Sequence, residues 1–339
     1  MYKRQSGTVS VIDTDTNTVV GAPIAVDWAS SNIAAAPAID RVYVNSPYTG
    51  AISVIDTATD TVVDTIWLPA SPDFQGYSLA QELAVSPDGT RLYASGEDGT
   101  VSVVDTATND VITSQPLGYF TDLAVSGDGR HLYGTSGASV TVIDTESMTR
   151  TAEVTVGPVW DLTRSSSEFT EVTSSVAVNA DGTRAYATYH VRTVELASGG
   201  YSNGHFIVDR TGRTWRVTGG YEVVTVIDVD PSSATYGTQL ATIRLPEGAH
   251  DVAISADGDL LYVSGADGRT VSVVDTSTYA VLGTFVTDPD GSTSGSYGPY
   301  RYLLVDPDTA GTLYVTDYAD GAVYAVTGAP GGAPTAVLT

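Results

Sequence analysis

A five-residue segment, Ser-Val-Ile-Asp-Thr or a near copy, recurs along this 339-residue chain at 10–14, 53–57, 102–106, 141–145, 225–229 and 272–276. Its aspartates (Asp13, Asp56, Asp105, Asp144, Asp228 and Asp275) are separated by 43, 49, 39, 84 and 47 residues. A second segment precedes most copies: LAVSPDGTRLY at 83–93, LAVSGDGRHLY at 123–133, VAVNADGTRAY at 176–186 and VAISADGDLLY at 252–262. Weaker versions occupy 36–43 and 304–314. A repeat of this period constrains the chain more than any other feature. Units this short cannot hide their own apolar faces and must stack on one another.

Each unit translates into four short strands, A to D. Leu83-Ala84-Val85 is an unbroken apolar run bounded by a turn, as a strand buried on both faces should be. Pro87-Asp88-Gly89-Thr90 is hairpin chemistry: proline presets φ, aspartate bonds its own turn and glycine accepts positive φ. Residues 91–94 return as strand B, 101–104 form a β-branched strand C, and Val111-Ile112 opens strand D after the turn 105–110. No stretch sustains an i, i+3, i+4, i+7 apolar pattern beyond about two turns. The expected fold is all-β.

Four-stranded units repeated at this interval specify a β-propeller, with blades packed radially around a channel. The pairing of LAVSPDGTRLYAS with GTVSVVDTATNDVI resembles the YVTN-type propeller repeat of bacterial and archaeal surface or secreted proteins, over nearly the whole chain from Gly7. That resemblance implies a seven-bladed propeller of the kind found in surface proteins and in some metal-dependent lactonases and lyases. The last unit departs from the pattern, since 323–326 lacks the following Asp-Thr.

The units fall at 7–27, 33–68, 82–117, 122–156, 174–245, 250–286 and 302–338, giving seven blades in one domain, 7–339. The first has only strands C and D, an incomplete blade whose inner pair is expected to lie upstream. The 84-residue spacing is twice 42 and leaves eight blades as an alternative, with HFIVDRTGRTWRV at 205–217 as half a unit. No further Val-Ile-Asp-Thr copy lies there, so a long hairpin inserted at 190–220 between strands B and C of unit five is preferred. Residues 1–6 are set aside as a non-native N-terminus. Lys3 is the sole lysine, and Tyr-Lys-Arg-Gln is what a sequencing-adapter end (TATAAGAGACAG) encodes.

Forty acidic against 15 basic side chains give a formal charge of −25, which argues against a nucleic-acid partner. The absence of cysteine excludes disulfides, zinc-thiolate sites and thiol nucleophiles. No apolar run approaches the roughly 20 residues of a membrane helix.

In such a blade the A–B and C–D turns share one face, and the B–C and D–A connections share the other. The first set is short: PDGT, GDGR, ADGT and DTATN. The long segments, 68–82, 157–175, 287–302 and the insertion 190–220, all belong to the second. Function is expected on that elaborated face. Trp28, Trp67 and Trp160 fall at or just beyond strand D, and Trp215 in the inserted arm. Tyr77, Tyr297, Tyr300, Arg301 and Tyr302 join them as candidate binding residues for protein, peptide or carbohydrate. The competing explanation is that these rings cover the ends of the core.

Residues just before each strand A should ring the channel mouth: Gln81 and Glu82, Thr121 and Asp122, Ser174 and Ser175, His250 and Asp251, Arg301 and Tyr302. If the chain were an enzyme of the lactonase or lyase type, His250, Asp251, Glu82 and Asp122 would hold a divalent metal there. Polar lining of any water-filled channel is the plainer explanation. Of four histidines only His250 is near the mouth, which disfavours a zinc site. Asp288 and Asp290 in Asp-Pro-Asp-Gly-Ser form a weak calcium candidate, since position twelve of that loop is Pro299 and not glutamate. The recurring Val-Ile-Asp aspartates are assigned to capping the C–D turn. No G-x-S-x-G elbow occurs. No cofactor is otherwise implied. The expectation is a noncatalytic binding module, secreted, periplasmic or at a bacterial surface. A lactonase-like enzyme and an architectural spacer are the alternatives.

Overall fold

The computed structural model describes residues 7–13, 18–27, 32–46, 49–69, 80–157, 166–196, 206–208, 213–265, 270–286, 303–305, 312–317, 322–327 and 336–338. Strands β1 (Thr8–Asp13) and β2 (Thr18–Ala25) pair alone. The next sheet comprises β3 (Ile33–Ala36), β4 (Arg41–Ser46), β5 (Ala51–Asp56) and β6 (Thr61–Trp67), with a single 3-10 turn at Pro37–Ile39. The third holds β7 (Ala80–Val85), β8 (Arg91–Gly96), β9 (Thr100–Asp105) and β10 (Asp110–Pro116). The fourth holds β11 (Asp122–Val125), β12 (His131–Ser136), β13 (Ser139–Asp144) and β14 (Thr149–Thr155).

The fifth sheet is larger: β15 (Ser166–Val178), β16 (Arg184–Leu196), β17 (Phe206–Val208), β18 (Thr214–Asp228) and β19 (Gln239–Arg244). The sixth is β20 (Val252–Ile254), β21 (Leu260–Ser264), β22 (Thr270–Asp275) and β23 (Val281–Val286). The seventh is β24 (Leu303–Val305), β25 (Thr312–Asp317), β26 (Ala322–Thr327) and β27 (Ala336–Leu338). All pairings are antiparallel meanders, as the short turns require. The fold is an all-β propeller.

Successive first strands touch one another (β3 with β7, β7 with β11, β11 with β15, β15 with β20, β20 with β24), which sets each sheet's inner edge toward a common line. Apolar layers fill the spaces between sheets. Ala84, Tyr93, Val101 and Val103 of the third sheet meet Leu132 and Ile143 of the fourth and Leu117 and Phe120 of the connection between them. Equivalent layers join the second and third, fourth and fifth, fifth and sixth, and sixth and seventh sheets. Each sheet buries both faces only through its neighbours, and this burial drives the stacking.

The repeated turns explain why the units look alike. Gly89 stands at φ 73°, and its N–H reaches the Ser86 carbonyl. Asp88 Oδ1 accepts from Ser86 Oγ (2.6 Å) and Thr90 N (3.0 Å), while Ser86 Oγ accepts from Arg91 N (2.9 Å). Ser126 with Asp128 and Ser255 with Asp257 repeat this arrangement. Across the sheet Asp56 caps its C–D turn through Ala58 N and Thr59 N, both 3.0 Å, and holds Arg41 of strand B at 2.6 Å. Arg91–Asp105 and Arg184–Asp228 reproduce that pair at 3.2 and 3.4 Å.

The arm differs from expectation at one side. The segment 157–175 was expected to be wholly a D–A connection, but β15 begins at Ser166 and pairs in register with the extension of β16, Ser166 opposite Glu195. β16 in turn pairs with β18 out to Leu196 opposite Trp215, and β17 adds to β18. The arm is therefore an outgrowth of the fifth sheet with three strands drawn through it and a fourth added. This outward run holds β-formers (Phe169, Thr170, Val172 and Thr173) without strict alternation, and the register shifts between Thr170 and Val172.

Candidate functional site

In the second to sixth sheets strand B places a small polar residue two positions after its tyrosine: Asn45, Ser95, Thr135, Thr188 and Ser264. All five are fully buried. Four of them accept a hydrogen bond from a backbone N–H in or just before strand A. Asn45 Oδ1 takes Asn32 N (2.7 Å), Ser95 Oγ takes Glu82 N (3.3 Å), Thr188 Oγ1 takes Ser175 N (3.0 Å) and Ser264 Oγ takes Asp251 N (2.9 Å). In the fourth sheet Thr121 bonds both the carbonyl and the hydroxyl of Thr135. These residues aim the mouth positions and went unremarked in the sequence, although the Tyr-x-[Asn/Ser/Thr] spacing was there to find.

The positions so aimed are Asn32, Glu82, Asp122, Ser175 and Asp251, and they are coupled to one another. Asn32 Nδ2 donates to Glu82 Oε2 at 2.5 Å. Asp122 Oδ2 accepts from Val176 N of the next sheet, and Oδ1 from Leu123 N, both 2.8 Å. Asp251 accepts from Ser175 Oγ (2.6 Å) and Val252 N (2.9 Å) at one oxygen, and from Leu303 N (2.8 Å) at the other. Thr188 Oγ1 also donates to the His250 carbonyl at 2.7 Å. Asp122 and Asp251 thus fasten each sheet's inner strand to a neighbour.

Enclosure by protein and mutual repulsion set the protonation of this ring. Burial first, then the charges of Asp122 and Asp251, push Glu82 up to about 9. Burial and the Asp251 charge push Asp122 up to about 7, and burial raises Asp251 as well. Burial lowers His250, so its imidazole is held toward the neutral form. The three carboxylates named from sequence therefore act on one another, while the charges that His250 meets are those of Asp251 and Glu222. Among the described residues, however, no group of three or more His, Cys, Asp or Glu has an arrangement that could hold a metal ion. The carboxylate oxygens of Asp122 and Asp251 are occupied by backbone and serine donors.

The aromatic candidates divide. Trp67, at the end of β6, is 64% exposed on the elaborated face. Trp215 is fully buried, contrary to its placement among surface binding residues. It lies where β18 is sandwiched between β16 and β17, opposite Leu196 and Ile207, so its ring serves the arm's interior. Trp28, Tyr77, Trp160, Tyr297, Tyr300, Arg301 and Tyr302 lie outside the described residues, as do Asp288 and Asp290. Ile33, Tyr119 and Val286 are further large exposed side chains at the same end, from a strand-A start, a D–A connection and a strand-D end. The arm sequence 190–220 carries Arg192, Arg210, Arg213 and Arg216 against Glu195 and Asp209, a local excess of positive charge in a chain of −25. At its root Arg244 lies over the Tyr221 ring, 4.3 Å from the centroid.

Sheets, turns and repeat together define a β-propeller, and part of the chain is similar to WD repeats. The WD domain, G-beta repeat family matches residues 77–105, which include β7, β8 and β9. An uncharacterized WD repeat-containing protein, sll1491 of Synechocystis sp. (strain ATCC 27184 / PCC 6803 / Kazusa), is 29% identical over 178 residues, 52% of this chain and 40% of that protein. The match thus spans less than half the relative's length. Kuenenia stuttgartiensis hydrazine synthase aligns with 88% of this chain and 95% of its own, at TM-score 0.47 and 15% identity. WD-repeat propellers generally act as noncatalytic interaction scaffolds and typically bind proteins. No helix among the described residues is long and apolar enough to cross a membrane.

Proposed function

We propose that this chain is a noncatalytic interaction module that captures a protein or peptide on the face bearing the D–A and B–C connections. The observation that carries this is the one-sidedness of the molecule. The arm formed by β15, β16, β17 and β18, the exposed Trp67 and the exposed Ile33, Tyr119 and Val286 all project from that end, while the opposite turns are short and spent on their own hydrogen bonds. Rigid aromatic side chains rimmed by polar groups suit a hot spot. The arginines of the arm favour a partner with an acidic segment. Carbohydrate is a less suitable ligand for this charge pattern.

The YVTN-like segments support a bacterial secreted or surface setting, and a chain this acidic and free of cysteine is compatible with it. Panning a peptide library on the immobilised chain tests the binding face. The account expects selected peptides to lose binding on Trp67→Ala or on shortening the arm, and to keep it on Thr108→Arg at the opposite turns. Binders that ignore the first two changes and respond to the third would refute it. A stoichiometric divalent ion retained through purification without chelator would instead favour the metal-dependent enzyme.

A further inference from the structure

The first residue of strand B is arginine in the second and third sheets (Arg41, Arg91), histidine in the fourth (His131), arginine in the fifth (Arg184) and leucine in the sixth (Leu260). Among these five sheets only the second and third are neighbours that both carry arginine there. The turn before Arg41 also departs from the repeat. It is the 3-10 turn Pro37–Ile39, with Ile39 at the place that Gly89, Gly129, Gly182 and Gly258 hold in the other four. A Cβ built on Gly89 would stand 3.1 Å from the Ile39 side chain, so the two turns meet and glycine leaves the isoleucine its room.

A cleft of about 420 Å³ opens at this meeting, within the size range of small-molecule sites. Ile39 and Arg41 line it from the second sheet, and Thr90, Arg91, Asp105 and Ala107 from the third. Each arginine is partly buried and spends one nitrogen. Arg41 Nη1 donates to the Asp40 carbonyl (2.9 Å) and to Asp56 Oδ2 (2.6 Å), and Arg91 Nη1 to the Thr90 carbonyl (2.9 Å) and to Asp105 Oδ2 (3.2 Å). Neither Nε nor Nη2 of either arginine has a partner among the described residues. The other polar groups of the lining are engaged within their own blade: Thr90 Oγ1 donates to Asp88, and Ala107 N to Asp105 Oδ1.

We propose that this cleft binds a small monocarboxylate with an apolar body. The Nε and Nη2 groups of a guanidinium form the planar fork that matches a carboxylate, and partial burial strengthens bonds made there. Ile39 and Ala107 offer the apolar body its contact. Two guanidiniums against one lining acid, Asp105, leave a single positive charge, which one carboxylate neutralises. A doubly charged sulfate or phosphate would face Asp105 with charge to spare. The cleft lies at the turn end, opposite the face proposed above for a protein partner, and does not rest on that reading.

The test follows Tm of the full chain as sodium hexanoate replaces sodium chloride at constant ionic strength. The inference expects a saturable rise, because a ligand of the folded state alone stabilises it. Hexanol and hexylammonium share the apolar body and should give none, and sulfate should do no more than chloride. Arg91→Lys keeps the charge but loses the fork, and should weaken hexanoate at least about tenfold. Ala107→Glu, at an exposed wall position, sets a competing carboxylate beside the guanidiniums and should abolish the response. Arg184→Met removes the matching ion pair of the fifth sheet and should leave it intact. A response that is absent, shared by hexanol or sulfate, unchanged in Arg91→Lys and Ala107→Glu, or lost equally in Arg184→Met would overturn the proposal.

Discussion

At the turn end of the sixth blade, hydrogen bonds from Ser277 and Thr278 hold the Asp275 carboxyl down to about 2. At the channel mouth of the neighbouring blades, Glu82 is pushed up to about 9 and Asp122 to about 7. Both sites are carboxylates fixed by a repeated unit, and what separates them is surroundings. The turn carboxylates face water and receive two or more local N–H and O–H donors, so the anion is the favoured form. The mouth carboxylates are drawn together inside a ring of first strands, where each ion is desolvated and meets its like. Repetition makes one end self-sufficient in every copy. It makes the other end depend on which residue each copy places there.

The largest effect is expected at the mouth. Asp251→Ala removes the acceptor for Ser175, Val252 and Leu303, and buried donors left unpaired cost on the order of 3 kcal/mol together. Urea denaturation should report it. A loss below about 1 kcal/mol would deny the carboxyl its fastening role. At the turn end Asp88→Ala should cost about 1 kcal/mol by the same measurement, because Ser86 and Thr90 can turn to water. An equal loss at both ends would erase the contrast.

The smallest effect is a gain. Tyr93 and Tyr186 each bond the motif threonine of the following blade, Thr145 and Thr276. The fifth blade has Val229 at that place, fully buried, and Tyr133 Oη of the fourth blade is buried with no partner. The Val229 N–H still reaches the Thr183 carbonyl, as Thr145 and Thr276 reach theirs, so the backbone already suits threonine. Val229→Thr should add up to about 1 kcal/mol and raise Tm. Tyr43 Oη also lacks a partner although its counterpart is Thr106, so the expected gain is modest.

Much of this was legible beforehand. Period and turn chemistry specify local hydrogen bonds, so the meander, the Gly89 turn and the capping role of Asp56 follow from a few consecutive residues. The approach of Glu82, Asp122 and Asp251 to one another was legible too, because equal position in a repeat means equal height on the channel. Three features were not. Trp215 sits in an arm whose strand pairing gives it an interior, and nothing in its neighbours' spacing announces that. The start of β15 at Ser166 depends on a partner strand already extended. The protonation of the mouth depends on which blades carry acids side by side in space, and the distance from 82 to 251 along the chain hides it.

The stability of the chain against pH, beside that of Glu82→Gln, tests the contrast most directly. In the folded chain Glu82 binds its proton up to about pH 9, while the unfolded chain releases it near 4.5. Between those values the folded state holds more protons, so stability must fall as pH rises, by up to about 1.4 kcal/mol per unit. The turn aspartates act the other way, withdrawing stability only as pH drops from about 4 toward 2. Tm measured from pH 5 to 9 should decline steadily in the native chain. In Glu82→Gln it should decline much less and stand higher at pH 8. A native profile flat across that range, or a Glu82→Gln chain that follows the native decline, would contradict the account.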